Sequence, residues 1–293
     1  MAEFANLSEV LNRLSGGAGT PESLFINKYT QSRNGGTGIS LQIGKLMSAW
    51  MVDGGIPGAG VAPGAVAVPT SATAGAIPFT NASGGREKRL LAGMFSWGQS
   101  AGPTADNITD IFLYDRLLHQ SNLSGTVTSA QNVQSGSGVS LTRSTTGEGN
   151  EIWLEVYTAG VGSTIQTATC SYTNQAGTAG RTTQVMPFGG STTVAGTSIM
   201  EASRMYLQAG DTGVRSVETL TLSGSTGTAG VFGVTIAHRL GQFPIHDGIS
   251  MVDFTYGDSG TPVIEDNACL ALMWRPDSGT AYPIIGMLAT AER

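Results

Sequence analysis

Charge is scarce in this sequence: only 12% of its 293 residues are Asp, Glu, Lys or Arg, about half the usual share of ~25%. A surface must therefore be built mainly from Ser, Thr, Asn, Gln and Gly. The balance is acidic, with a net charge of −6, which argues against gripping phosphates, since nucleic-acid binding rests on Lys and Arg neutralising the backbone. The one basic cluster, Arg86, Lys88 and Arg89, is short and reads as a solvated loop or helix end rather than an anion site. Cysteine is nearly absent. Cys170 and Cys269 lie far apart, with no CxxC and no nearby His, so they do not make a metal site. Buried free thiols are the default reading, and a bridge between them stays open. Aromatics are 7% of the chain, thin support for a platform that stacks sugars or bases. No run of 18 apolar residues exists, so no membrane helix is indicated. The stretch from Val61 to Phe79 is interrupted by Pro63, Gly64, Pro69, Gly75 and Pro78. The start, MAEFANLSEV, is acidic and lacks the apolar core of a signal peptide.

Glycine, by contrast, is abundant: the 42 glycines are about twice the ~7% norm. They carry no Gly-X-Y period, which excludes collagen. The clearest pattern is Glu151 to Arg181. Ile152, Leu154 and Val156 alternate with Trp153, Glu155 and Tyr157, the period of two that marks a strand with two different faces. Similar segments recur at Ile111–Leu118, 126–133, 139–143, 164–172, 182–188, 205–208, 217–222 and 232–239, separated by small or polar turns. That spacing predicts a mainly β protein, a sandwich or barrel rather than βαβ units, read as a sandwich or jelly-roll-like core. The tetrapeptide Gly-Thr-Ala-Gly at 177–180 and 227–230 reads as two similar loops rather than a duplicated unit.

Around this core the sequence suggests three regions. Residues 1–105 hold a short amphipathic helix (Phe4, Leu7, Val10, Leu11 and Leu14 on one side) and a helical or extended piece from Pro21 to Tyr29. An apolar segment follows, read as a helix over Leu41–Trp50. Next come a Gly/Pro-rich arm over 53–85, lying across its own domain or a neighbour, and a helical pattern at 86–93. Residues 106–245 hold the β domain. Residues 246–293, with strands at 251–256, 268–274 and 283–289, complete that core or pack on the N-terminal part.

Chemistry is sparse. Gly257-Asp258-Ser259-Gly260-Thr261-Pro262 resembles the nucleophile loop of the chymotrypsin-like serine proteases. The resemblance implies Ser259 as nucleophile, with Gly257 and Ser259 N–H groups as oxyanion donors. Three histidines could supply the base. His119 lacks the family's Ala-His context, His238 falls in a strand register, and His246 adjoins Asp247. Thr261 stands where the family has a second Gly, and Gly-Asp-Ser-Gly is also a good turn, as Gly210-Asp211-Thr212-Gly213 illustrates. Of the carboxylates, Asp106 and Asp110 bracket Ile108, Glu148 stands alone, and Glu265–Asp266 could assist a hard cation without making a Ca²⁺ loop. No phosphate-binding glycine motif is present. The residues themselves assign no catalytic, cofactor or metal site.

From IFLYDRLLHQSNLSGTV at 111–127, through Glu151-Ile152-Trp153-Leu154-Glu155, Ser171-Tyr172-Thr173-Asn174-Gln175-Ala176-Gly177, Leu207 to Val217 and Gly230 to Val234, the chain resembles a family of tailed-bacteriophage virion proteins. The similarity covers about 105–245. It implies a non-enzymatic component of the particle, decorating or cementing the capsid on the exterior of the head after assembly in the host cytoplasm. Its partners would be the major capsid protein or other virion proteins, and copies of itself as a trimer, with neither nucleic acid nor membrane involved and no cofactor. A tail or fibre adhesin and a serine hydrolase at Ser259 are the alternatives.

Overall fold

The computed structural model describes residues 22–29, 32–33, 36–37, 45–52, 55–97, 108–190, 200–245, 249–254, 260–276 and 283–292. Among them are strands and no helix; the expected helix at 3–15 lies outside them. The centre is a closed antiparallel barrel. Numbered in chain order, its strands run β12 (Glu201–Met205), β4 (Leu46–Ser48), β17 (Leu270–Pro276), β6 (Ile108–His119), β14 (Phe232–Pro244) and β8 (Asn150–Val156). The short β12 closes the ring by pairing with both β8 and β4. The mainly β expectation holds, and of the forms that the strand spacing allows the centre is a closed barrel rather than an open two-sheet sandwich.

Two sheets cover the barrel. One runs β1 (Glu22–Tyr29), β18 (Pro283–Glu292), β5 (Lys88–Trp97), β15 (Ile249–Asp253), with β16 (Val263–Ile264) also on β5. The other runs β10 (Arg181–Thr182), β9 (Gln166–Asn174), β13 (Val214–Leu222), β7 (Gln131–Asn132), with β11 (Met186–Phe188) also on β9. The pair β2 (Ser32–Arg33) and β3 (Gly36–Thr37) stands apart. Strands from the first 105 residues, the middle and the tail thus share sheets. β15 and β18 join β5, while β17 lies inside the barrel wall.

Alternation explains the layers. Ile152, Leu154 and Val156 of β8 join Cys170, Tyr172, Val217 and Leu220 in one apolar core beneath the second sheet. Leu24, Ile26, Phe95 and Leu288 of the first sheet meet Leu113, Phe243, Leu272 and Trp274 of the barrel in another. Gly93 is needed there, because a Cβ at that position would come within 2.2 Å of the Phe243 ring. Each large apolar side chain so buried stabilises the fold by about 1.5–3 kcal/mol.

Several local expectations are corrected. Leu46–Ser48 is a strand, not part of a helix, since Met47 faces one core while its neighbours face the other way. The 86–93 segment is the start of β5, because Leu90 is buried and Met94 exposed on opposite faces. Of the two forms expected for the piece ending at Tyr29, Glu22–Tyr29 takes the extended one. Within 126–133 only Gln131–Asn132 pairs, because the Gln131 amide binds the Ser124 and Val127 carbonyls in place of a ladder. No strand forms at 139–143; Arg143 is instead drawn inward to Asp115 at 2.9 Å. Residues 55–85 lie across their own barrel: Gly60, Ala67 and Ile77 bond to Trp50, His119 and Leu270. The two Gly-Thr-Ala-Gly loops place both of their glycines at positive φ, from 65° to 98°, where a side chain would be strained.

Candidate functional site

Four barrel elements converge on one carboxylate. Arg116 of β6 donates two bonds to Glu155 of β8, at 2.7 and 2.6 Å. The Tyr157 hydroxyl donates to the same carboxylate at 2.9 Å and the Thr235 hydroxyl of β14 at 2.5 Å. Ser48 of β4 adds a further hydrogen bond. The Arg116 guanidinium lies 4.4 Å from the Trp50 ring centroid, a cation–π contact. Both charged side chains are 1% exposed. Residues of β4, β6, β8 and β14 can share one carboxylate only inside the barrel, so the pair is its polar core. A bulge in β6 puts Arg116 opposite Ala237 and His119 opposite Thr235. Without the extra residue, positions 116 and 119 would face opposite ways.

Burial pushes Glu155 up, but Arg116 and the surrounding donors outweigh it and hold the carboxyl down at about 2. Burial opposes the charge on Arg116, yet Glu155 keeps it firmly protonated. The result is a closed, buried ion pair whose carboxylate is fully engaged, while the Arg116 Nε has no hydrogen-bond partner. Its role is to hold four strands together.

The candidate histidines do not form a triad among the described residues. His119 is buried against Trp50, ring centroids 5.4 Å apart, and its Nδ1 has no hydrogen-bond partner. Burial first, then Arg116, lowers it to about 3. His238 engages Asn150 at 3.0 Å. His246, Gly257, Ser259 and Asp106 lie outside the described residues. Cys170 and Cys269 are free and buried; burial pushes each thiol up to about 12, which leaves them inert. Glu265 accepts from the Ser144 N–H and hydroxyl, and Asp266 from the Ala82 N–H, so both acids pin loops. Glu148 accepts from Thr212, and Asp110 from Gln242. Among the described residues no three of His, Cys, Asp and Glu gather as metal ligands would. The basic cluster is dispersed onto acceptors: Lys88 binds Glu22, Arg86 lies 3.7 Å from Glu292, and Arg89 binds the Thr261 carbonyl.

The surface holds what the sequence did not announce. Across the outer face of the first sheet, Phe25, Met287, Met94 and Met251 sit opposite one another on β1, β18, β5 and β15. Phe25 is 62% exposed and Met251 74%. Ile285 extends the patch on one side, while Ala289 and Ala92 continue it on the other. Among the described residues of this face, charges stand only at its margin, in Asp253 and Arg89. Single exposed apolar residues are ordinary, but here four stand in register across four strands as one contiguous apolar row. Among the described residues β15 has no strand on its outer edge, and neither has β1, whose Asn27 N–H is met there by the Ile56 carbonyl.

No protein-family model and no curated protein sequence matches the chain. Among solved structures the chain is aligned with capsid proteins of infectious bursal disease virus. The Gt-strain structure is 10% identical, with 94% of this chain and 81% of that one covered and a TM-score of 0.19. The T=1 particle structure is 11% identical, with 93% and 78% covered and a TM-score of 0.21. The VP2 subviral particle is 11% identical, with 93% and 81% covered and a TM-score of 0.19. At such TM-scores no shared fold and no role follows from the likeness.

Proposed function

We propose that this chain is a non-enzymatic structural subunit of a tailed-phage particle. It decorates or cements the head as a homo-oligomer, with three copies as the expected ring. The observation that carries this reading is the Phe25–Met287–Met94–Met251 row, and the occupant assigned to it is a second copy of the chain. A net charge of −6 sets copies against one another wherever acids are displayed. This face has no charge inside its margin, so it complements itself, and methionine adapts to such a contact. The motif resemblance over 105–245 supplies the placement in a virion, and the inert ion pair inside the barrel accords with a load-carrying part.

Met94→Glu combined with Met251→Glu puts two like charges into the contact while leaving both cores untouched. The wild type is expected to sediment as an oligomer and the double variant as a monomer with an unchanged circular dichroism spectrum. A monomeric wild type at tens of micromolar, or a variant that assembles normally, removes the assignment. Localisation over the head of the assembled particle tests the placement separately.

A further inference from the structure

At the end of the barrel where β8 begins and β12 ends, a groove of about 530 Å³ opens to solvent. Its floor is Glu151, whose carboxylate is nearly buried and accepts from the Tyr114 hydroxyl and the Trp153 indole, each at 3.2 Å. Two arginines on the groove wall share this acid. Arg204 approaches it to 3.1 Å and Arg239 to 3.8 Å, and both side chains remain about 40% exposed. Two guanidiniums against one carboxylate leave a local excess of one positive charge in a chain that is acidic overall. Asp211, also on the wall, is already engaged by Tyr172, Asn174 and Arg181. It supplies no free counter-charge. Each guanidinium carries five donors in a planar fork, and Glu151 occupies only part of each.

The rest of the lining is of a different kind. Tyr206 is 58% exposed, with the Arg204 guanidinium 5.5 Å from its ring centroid. Gln208 supplies an amide on the same wall, and the Thr212 hydroxyl, which donates to Glu148, can still accept there. Paired arginine forks suit a carboxylate. An exposed aromatic ring suits the apolar C–H face of a pyranose, and neutral amides and hydroxyls suit its hydroxyls. The volume falls in the range of small-molecule sites and exceeds what a single acidic side chain would fill. We propose that this groove binds a carboxylate-bearing sugar, with Arg204 and Arg239 on the carboxylate and Tyr206 beneath the ring. This assignment stands on the groove alone and holds whether or not the chain assembles.

The test is calorimetric titration of the full chain with a sialic acid-terminated trisaccharide, a glucuronic acid disaccharide and neutral lactose. At least one acidic sugar is expected to bind, with lactose at least about tenfold weaker. A charge-assisted pair contributes on this scale. Arg239→Ala should weaken the acidic sugar about tenfold or more. Arg239→Lys should recover only part, because it keeps the charge and loses the fork. Tyr206→Ala should weaken acidic and neutral sugars alike. Circular dichroism of each variant separates lost binding from lost folding; Arg239, being half-exposed, is the variant least open to that objection. No binding of either acidic sugar at millimolar concentration overturns the proposal. So does equal binding of lactose, or an Arg239→Ala protein that binds as the wild type does.

Discussion

Glu155→Ala is expected to remove about 3–5 kcal/mol of stability, a large part of the ~5–15 kcal/mol that holds a typical domain folded. The reason is Arg116 rather than Glu155 itself. With the carboxylate gone, a guanidinium that is 1% exposed keeps its charge, and no other acid among its described hydrogen-bond partners replaces the lost one. The Thr235 and Tyr157 hydroxyls, which both donate to Glu155, lose that acceptor at the same time and keep only each other and Arg116. Removing both charges together is a different experiment. In the double variant Arg116→Met, Glu155→Leu, no charge is stranded and the volume is largely kept. It should recover most of the loss, as buried pairs replaced by apolar groups commonly do. Urea unfolding of the wild type, the two singles and the double gives the coupling energy of the pair. A Glu155→Ala protein within about 1 kcal/mol of wild type would mean that the pair is hydrated or open, contrary to its geometry.

The strand that carries Glu155 was the most legible part of the sequence, and yet the pair was not. The alternation of Ile152, Leu154 and Val156 with Trp153, Glu155 and Tyr157 gives the strand and its two faces. It cannot say that the mixed face is a barrel interior. Glu155 looks like a solvent-facing acid until barrel closure brings Arg116 across from 39 residues away. The bulge at β6 is equally silent in Ile111–His119, where every residue is apolar, charged or large. The misread segments have two causes. β4 and β7 have three and two residues, too few for a period to show, and only their partners define them. β5 was read as helical because Leu90, Leu91 and Met94 fit a helical stripe. The structure instead splits them between a core and the exposed row.

The two surface features follow the same rule. Phe25 and Met251 are more than 220 residues apart in sequence, and Met94 and Met287 join them only through the pairing of four strands. Low aromatic content argued against a sugar platform in general. A single Tyr206, placed by β12 beside Arg204, is enough to alter that argument locally, because a binding surface depends on which rings are exposed and not on how many exist.

Acid should act on this protein through His119 before it acts through any carboxylate of the barrel. The folded value is about 3 against an ordinary 6.5, so the unfolded chain binds a proton below pH 6.5 that the folded chain refuses. Stability is therefore full above that pH and falls as pH drops through the interval toward 3. Between pH 7 and pH 5 the loss comes to about 2 kcal/mol, at ~1.4 kcal/mol per pH interval below 6.5. Glu155 contributes in the same direction only below its ordinary 4.5, because its folded value is about 2. The window from 6.5 to 4.5 thus isolates the imidazole from the ion pair. In His119→Phe the ring still packs on Trp50 and no proton can bind, and the unpartnered Nδ1 means that little hydrogen bonding is lost. That variant should show nearly the same urea midpoint at pH 7 and pH 5 while the wild type moves to lower urea. A wild type indifferent to pH across the window, or a variant that loses as much as the wild type, would show that His119 is not the group refusing the proton.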